Sequence, residues 1–233
     1  MSKRLSSFKG PSTPTSSPVS QPNQPVGPAS PSRVSESTFH RKLRTLLQEL
    51  RSISLAWDDI VLLDGLRAAR TLVDTRTELD NMLSLLPPDS QPHTDMVGPK
   101  LAIMDKSISQ LDAVTAKLQK QLRRMSAVVD NLETLYHEAQ KAKGAKWCQE
   151  EALWVSWPLE KFVTSLANIT TPYHRSLALM MDITDSLRSH SVTFEASRDA
   201  ISQWVEQPYL DEDGWDAKWE DLCAVEIERW DAK

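Results

Sequence analysis

Apolar residues recur along this chain at alternating spacings of three and four, the period of helices that bury one face. The first stripe runs Phe39, Leu43, Leu46, Leu50, Ile53, Trp57 and Ile60, behind an N-cap at Ser35 or Ser37. It shifts near Gly65, which marks either a bend or, the preferred reading, a close helix contact. It then continues through Leu66, Val73, Leu79 and Leu83 and stops at Pro87-Pro88, giving a helix over 35–86. The segment "PPDSQPHTDMVGP" has loop composition, and Pro99 suits the first position of a second helix over 99–143. There Leu101, Met104, Ile108, Leu111, Thr115, Leu118, Leu122, Met125, Val129, Leu132 and Tyr136 occupy heptad a and d positions. Those heptads make roughly 54 Å of seam at 1.5 Å per residue. The seam needs a partner: the first helix folded back as an antiparallel hairpin, or a helix of another chain.

Gly144 ends the second helix, and Trp147, Cys148, Trp154 and Trp157 follow in an irregular stretch. "SWPLEKF" opens a third helix over 157–189, capped by Ser156 or Trp157 with Pro158 first. Its buried face reads Leu159, Phe162, Leu166, Ile169, Tyr173, Leu177, Met180 and Leu187, with a kink expected at Pro172. A fourth helix over 193–207 turns Phe194, Ile201, Trp204 and Val205 inward and is stopped by Pro208. A fifth over 215–231 carries Trp215, Trp219, Leu222, Cys223, Ile227 and Trp230. Between residues 35 and 233 there are only four glycines, no Asn-Gly turn and no alternating strand pattern. The fold class is therefore all-α: a long antiparallel helical hairpin or coiled coil, plus C-terminal helices, in an elongated bundle.

Composition separates residues 1–34 from the helical domain over 35–233. The tail holds seven of the 14 prolines, many serines and almost no large apolar residues, a composition that predicts disorder. Thr13, Ser17 and Ser30 each precede a proline, and Ser30 lies in "SPSR", so the three are candidate phosphorylation sites. Charge is also uneven. Residues 99–146 carry nine Lys/Arg against five Asp/Glu, whereas 206–233 carry ten Asp/Glu against three Lys/Arg. Those faces either attract each other or leave an acidic surface for a basic partner.

Little in the chain points to chemistry. Six dispersed glycines make no phosphate-cradling loop, and Cys148 and Cys223 fit no metal or redox spacing. Glu133 and His137 share a helix face but make at most one ligand pair, and "NIT" at Asn168 is a glycosylation sequon without a secretory context. No catalytic, metal or cofactor-binding residue is assigned, and the expectation is a protein that is not an enzyme. The net charge of -5 argues against a dedicated nucleic-acid binder. No apolar run is long enough for a membrane span. The absence of a signal sequence behind "MSKRLSSFKG" suggests a reducing cytosolic or nuclear setting. Seven of the eight tryptophans lie after residue 146, and such side chains serve either as core or as interface anchors.

Three stretches carry a resemblance. They are "LAWDDIVLLDGL" with Trp57 and Gly65, "SWPLEKF" with Trp157, Pro158 and Phe162, and "QWVEQPYL" with Trp204, Gln207, Pro208 and Tyr209. Their order and spacing over about residues 45–230 resemble the cyclin-dependent kinase 2-interacting protein family, whose late Trp-x-x-Gln-Pro-Tyr element is the most specific of the three. The longer Pro/Ser-rich tail and the Trp-rich C-terminal helix depart from the family pattern, so no role carries over to them. The resemblance implies a nuclear, and also cytoplasmic, adaptor in DNA replication, the cell cycle and checkpoint signalling. The implied partners are cyclin-dependent kinase and cyclin, a Cdc7-type kinase, replication-origin factors and subunits of an AAA+ ATPase assembly. That assembly is linked to large ribosomal subunit maturation. The alternative is a coiled-coil structural subunit of a kinetochore or tethering complex. Two cyclin-docking look-alikes are weak. In Arg44-Thr45-Leu46-Leu47, Leu46 falls on the apolar stripe, and "KRLSSF" has its phenylalanine one residue too far along.

Overall fold

The structure, a computed structural model, describes residues 36–87, 91–92, 94–211, 215–222, 224 and 226. Thr13, Ser17 and Ser30, the tail as a whole, Cys223, Ile227, Trp230 and the side chain of Trp215 lie outside the described residues. Among those described, the fold is all-α.

Helix α1 (Thr38–Asp59) starts at Ser37, whose Oγ accepts the His40 amide at 3.5 Å, so the second of the two N-cap candidates is used. It runs through a single π-helical turn, Ile60–Gly65, into α2 (Leu66–Ser84). The reason is visible in the buried positions. Leu43, Leu47, Leu50, Ser54, Trp57, Val61, Gly65, Ala68, Leu72, Thr75 and Leu79 alternate in fours and threes, except for two consecutive fours at Trp57–Val61–Gly65. That is one residue too many for an α-helical stripe, and the π-turn absorbs it, its Leu66 amide reaching back to the Val61 carbonyl. The shift expected near Gly65 is this insertion. Fully buried Leu47 and Val61 replace half-buried Leu46 and Ile60 on the stripe, and Leu83 is exposed.

Helix α3 (Thr94–Lys143) returns antiparallel, about 75 Å long at 1.5 Å per residue. Four ion pairs mark the register: Lys42–Glu138, Glu49–Arg124, Asp64–Lys117 and Glu78–Lys100 ascend one arm while descending the other. Each is largely exposed and adds at most about 1 kcal/mol. The apolar seam holds the arms, at ~1.5–3 kcal/mol per fully buried large side chain. The chain's own α1 and α2 therefore fill the seam.

Three expectations about this helix and its neighbours are corrected. α3 begins at Thr94, so Pro99 lies inside it; the missing amide forfeits one bond, to Asp95, near the end of a long helix. The buried face is also rotated from the a/d seam. Met104, Leu111, Leu118, Met125, Leu132 and Ala139 are buried, but Leu101 is exposed and Ile108, Thr115 and Leu122 are only half-buried. Ser107, Val114, Val128 and Leu135 are buried instead, because α3 is covered on a second side by α5 and α6. Finally, Trp147 and Cys148 are not irregular: they lie in a short helix, α4 (Ala145–Glu150), reached through Gly144 at φ 91°.

The expected third helix is two. α5 (Leu159–Leu166) and α6 (Thr170–Arg188) are separated by a turn at Ala167–Ile169, tightened by Ile169 N–H to Leu166 O and Thr171 N–H to Asn168 O, each 3.1 Å. Pro172 does not kink a helix. It stands third in α6, where an amide has no helical acceptor in any case. The N-cap of α5 is Pro158, not Ser156 or Trp157. Every expected apolar residue of this face is buried. α7 (Phe194–Glu206) buries Ser197 and Trp204, whereas Phe194 and Val205 are exposed rather than inward. Phe194 is the first helical residue, and its side chain projects past the N-terminal end. α8 (Pro208–Asp211) and α9 (Trp215–Leu222) complete the described helices.

Candidate functional site

The three stretches singled out by sequence fall into two places. The first is a corner where α7 meets the π-turn. Trp204 is fully buried; its Nε1–H donates to the Val61 carbonyl at 3.0 Å, and its ring packs closely against Gly65. A Cβ at Gly65 would stand 2.9 Å from Trp204 Cε2 and closer still to Cζ2, so only glycine leaves room. The preferred reading of Gly65 as a close contact is correct, and its partner is Trp204.

Gln207 adopts a left-handed conformation (φ 43°, ψ 56°), the described non-glycine residue with positive φ. This turns the chain out of α7 and aims its side chain back at α1. Trp57 Nε1–H donates to Gln207 Oε1 at 2.9 Å, and Gln207 Nε2–H donates to Asp58 Oδ1 at 3.4 Å. Pro208 then opens α8, and the Leu210 amide bonds the Gln207 carbonyl at 2.8 Å. Trp57 meets Tyr173 edge to face at 5.1 Å. Trp57 and Trp204 are wholly buried and Gln207 nearly so. They join α1, the π-turn, α6 and α7 and present no surface. Tyr209, half-buried, is the member of this group that reaches an open cavity.

The second place is the loop before α5. Phe162 is buried beneath Trp154 and Trp157, at centroid distances of 5.5 and 5.3 Å. Lys161 lies over the half-buried Trp157 ring at 4.1 Å. Pro158 pairs with Ala152 across an isolated bridge. The Trp154 indole donates to Glu36 Oε1 at 3.1 Å, and Glu36 also holds Arg44. His40 Nε2–H donates to the Leu153 carbonyl at 2.8 Å, which leaves Nδ1 to accept from Ser37 Oγ at 2.7 Å. The N-terminus of α1 is thereby tied to the tryptophan loop.

One functional feature escaped the sequence reading. The amides of Val155, Ser156 and Trp157 all point at Oε2 of Glu226, at 3.4, 3.1 and 3.3 Å, and Ser156 Oγ–H donates to Oε1 at 2.6 Å. Glu226 is 2% exposed. A carboxylate held by consecutive amides is an anion nest. Beside it lies a cavity of about 1010 Å³ bounded by α5, the start of α6, Tyr209 and α9. The only hint in sequence was a Glu within an acidic run, indistinguishable from its neighbours.

Cys148 is buried and free, and burial followed by the nearby Glu160 carboxylate pushes its thiol pKa up, which makes it a poor nucleophile. Glu133 and His137 are both exposed, and among the described residues no group of three or more His, Cys, Asp or Glu is placed to hold a metal. Among the described residues no helix is long and apolar enough to cross a membrane. Leu47 of the cyclin-docking look-alike is buried and Leu46 half-buried in α1, while "KRLSSF" lies outside the described residues.

Fold and site together describe a helical protein with a buried aromatic corner and a loop that binds a carboxylate. No protein-family model and no curated protein matches the chain.

Proposed function

We propose that this chain is a non-enzymatic adaptor subunit acting in DNA replication and genome maintenance. It contacts cell-cycle kinases and belongs to an AAA+ ATPase assembly that also serves large ribosomal subunit maturation. The partners come from the likeness of Trp57, Trp157-Pro158 and the Trp-x-x-Gln-Pro-Tyr element to the cyclin-dependent kinase 2-interacting protein family. One observation supports taking that likeness seriously. Trp57, Gly65, Trp204 and Gln207, separated by up to 150 positions in the chain, meet in one corner. A set of residues that make a common structure is a stronger resemblance than scattered letters. The reading places the protein in the nucleus and the cytoplasm, with no direct hold on nucleic acid or membrane.

Affinity purification of the full chain with mass spectrometry tests this. The expected result is recovery of AAA+ ATPase subunits together with replication factors or cell-cycle kinases. Recovery of kinetochore or tethering subunits, with none of those, overturns it.

A further inference from the structure

The second layer of the bundle ends before the hairpin does. α6 runs antiparallel to α3, with Met181 beside Gln119 and Arg188 paired to Asp112, and the Leu187 carbonyl near its end takes Arg76 of α2. α7 runs antiparallel to α1 and α2, with Gln207 on Trp57 and Trp204 on Gly65. Its first residue, Phe194, therefore lies about 15 Å beyond the Gly65 corner, near the level of Arg76. Past that level, residues 77–84 of α2 and 94–108 of α3 continue as the two arms of the hairpin, for about 22 Å of α3.

The face buried under the second layer continues along this tip and is open. On α3, Leu135, Val128, Val114 and Ser107 are buried. The same stripe, at spacings of four and seven, reaches Ile103 and Met96, which are 41% and 37% exposed. On α2, Ala69 and Arg76 are buried, and Leu83, seven positions further on, is 37% exposed. Phe194, 56% exposed, projects past the end of α7 into the same space. We propose that the tip is a dimer interface. A second copy of the chain lays its own tip face to face on the first across a two-fold axis and closes a four-helix bundle.

Two features make the occupant a second copy. The missing layer is the continuation of a pair of helices, α6 over α3 and α7 over α2. The tip is itself a pair of antiparallel helices of matching length, so two copies supply each other's second layer. The charges are also self-complementary. Asp95 and Lys106 are exposed and stand eleven positions apart, three helical turns, so they share one edge of the Met96–Ile103 stripe. Antiparallel pairing of two α3 tips about Pro99–Lys100 sets Met96 of each copy against Ile103 of the other. The same pairing brings Asp95 of each copy to Lys106 of the other, so both ion pairs form twice by symmetry. Glu78, Asp80, Asp95 and Asp105 against Lys100 and Lys106 leave only a slight acidic excess, which calls for no strongly charged stranger.

Sedimentation of the full chain over a wide concentration range tests this. The expected result is a reversible monomer–dimer equilibrium. Ile103→Asp buries an unpaired charge in the dimer and should weaken it by about tenfold or more. Asp95→Lys and Lys106→Asp alter only exposed side chains, so they test the interface without loading the fold. Each alone sets like charges together twice and should weaken self-association by about tenfold. An equimolar mixture of these two variants restores both attractions, and it should dimerise at least as well as wild type. A chain that stays monomeric throughout overturns the proposal, as does a dimer indifferent to all three substitutions. So does a monomeric chain that loses a copurifying protein on Ile103→Asp, since that outcome assigns the groove to a different helix.

Discussion

The indole of Trp204 rests on the backbone of Gly65 and donates its N–H to the carbonyl of Val61, so a helix terminus is locked to an irregular turn 143 residues away. A methyl group at Gly65 has no room there. Gly65→Ala is expected to cost about 1–3 kcal/mol through overpacking, despite the helix preference of alanine. Trp204→Ala is expected to cost ~3–5 kcal/mol as a buried aromatic truncation. In a Trp204→Ala background the Gly65→Ala penalty should vanish, since the clashing ring is gone. Urea unfolding of the two single variants and the double variant measures this coupling. Additive costs would mean that the contact carries no energy.

Gln207 satisfies the buried Trp57 indole N–H from a strained left-handed backbone, so its side chain stabilises a geometry its backbone disfavours. Gln207→Ala leaves that N–H unpaired and keeps the strain; the expected loss is about 1–3 kcal/mol in chemical denaturation. Gln207→Gly relieves the strain, so it should be less destabilising than Gln207→Ala even though the same bonds are lost. The reverse order would show that the backbone conformation is not a cost.

Much of this was legible in sequence, for a physical reason: helices advertise their buried face through spacing. The faces of α5 and α6, the Ser37 cap, the stop at Gly144 and the special contact at Gly65 all follow from local rules. What failed were inferences that needed three-dimensional neighbours. Pro99 and Pro172 were read as a start and a kink, yet a proline in or near a first turn loses little, and the real break at Ala167–Ile169 contains neither Gly nor Pro. The α3 face was read as a two-helix seam because a heptad pattern does not reveal that α5 and α6 cover its other side. The nest for Glu226 was invisible because backbone amides have no letter in a sequence.

Cys148 links stability to pH. Burial raises its folded-state pKa, so in the native protein the thiol keeps its proton to a higher pH than it does in the unfolded chain. Above the unfolded value of about 8.5 the unfolded state binds fewer protons, and stability must fall as pH rises. Tyr136 is shifted up as well, by burial first and then Glu160, and contributes in the same direction at higher pH. Denaturation between pH 8 and 10 should therefore show a steeper loss in wild type than in Cys148→Ala, which keeps Tyr136 and removes only the thiol. Parallel curves would show that Cys148 titrates alike in both states.

Arg76 presents the opposite case, a charge whose burial is poorly compensated. It is 4% exposed, and burial lowers its pKa against the opposing pull of Asp80. One guanidinium N–H donates to the Leu187 carbonyl at the end of α6, while Nε and Nη1 are buried without a hydrogen-bond partner. A cation at a helix C-terminus is favourable, by roughly 0.3–2 kcal/mol, but two unmet donors cost ~1–3 kcal/mol each. Arg76→Met keeps the side-chain length, removes the charge and both orphan donors, and gives up one hydrogen bond and the attraction of Asp80. Exchanges of buried ions for apolar groups of similar volume are commonly neutral or stabilising. The expected result is a stability within about 1 kcal/mol of wild type, or above it, in urea unfolding. A loss of more than about 2 kcal/mol would show instead that the Arg76–Leu187 bond is what fixes the end of α6 against α2.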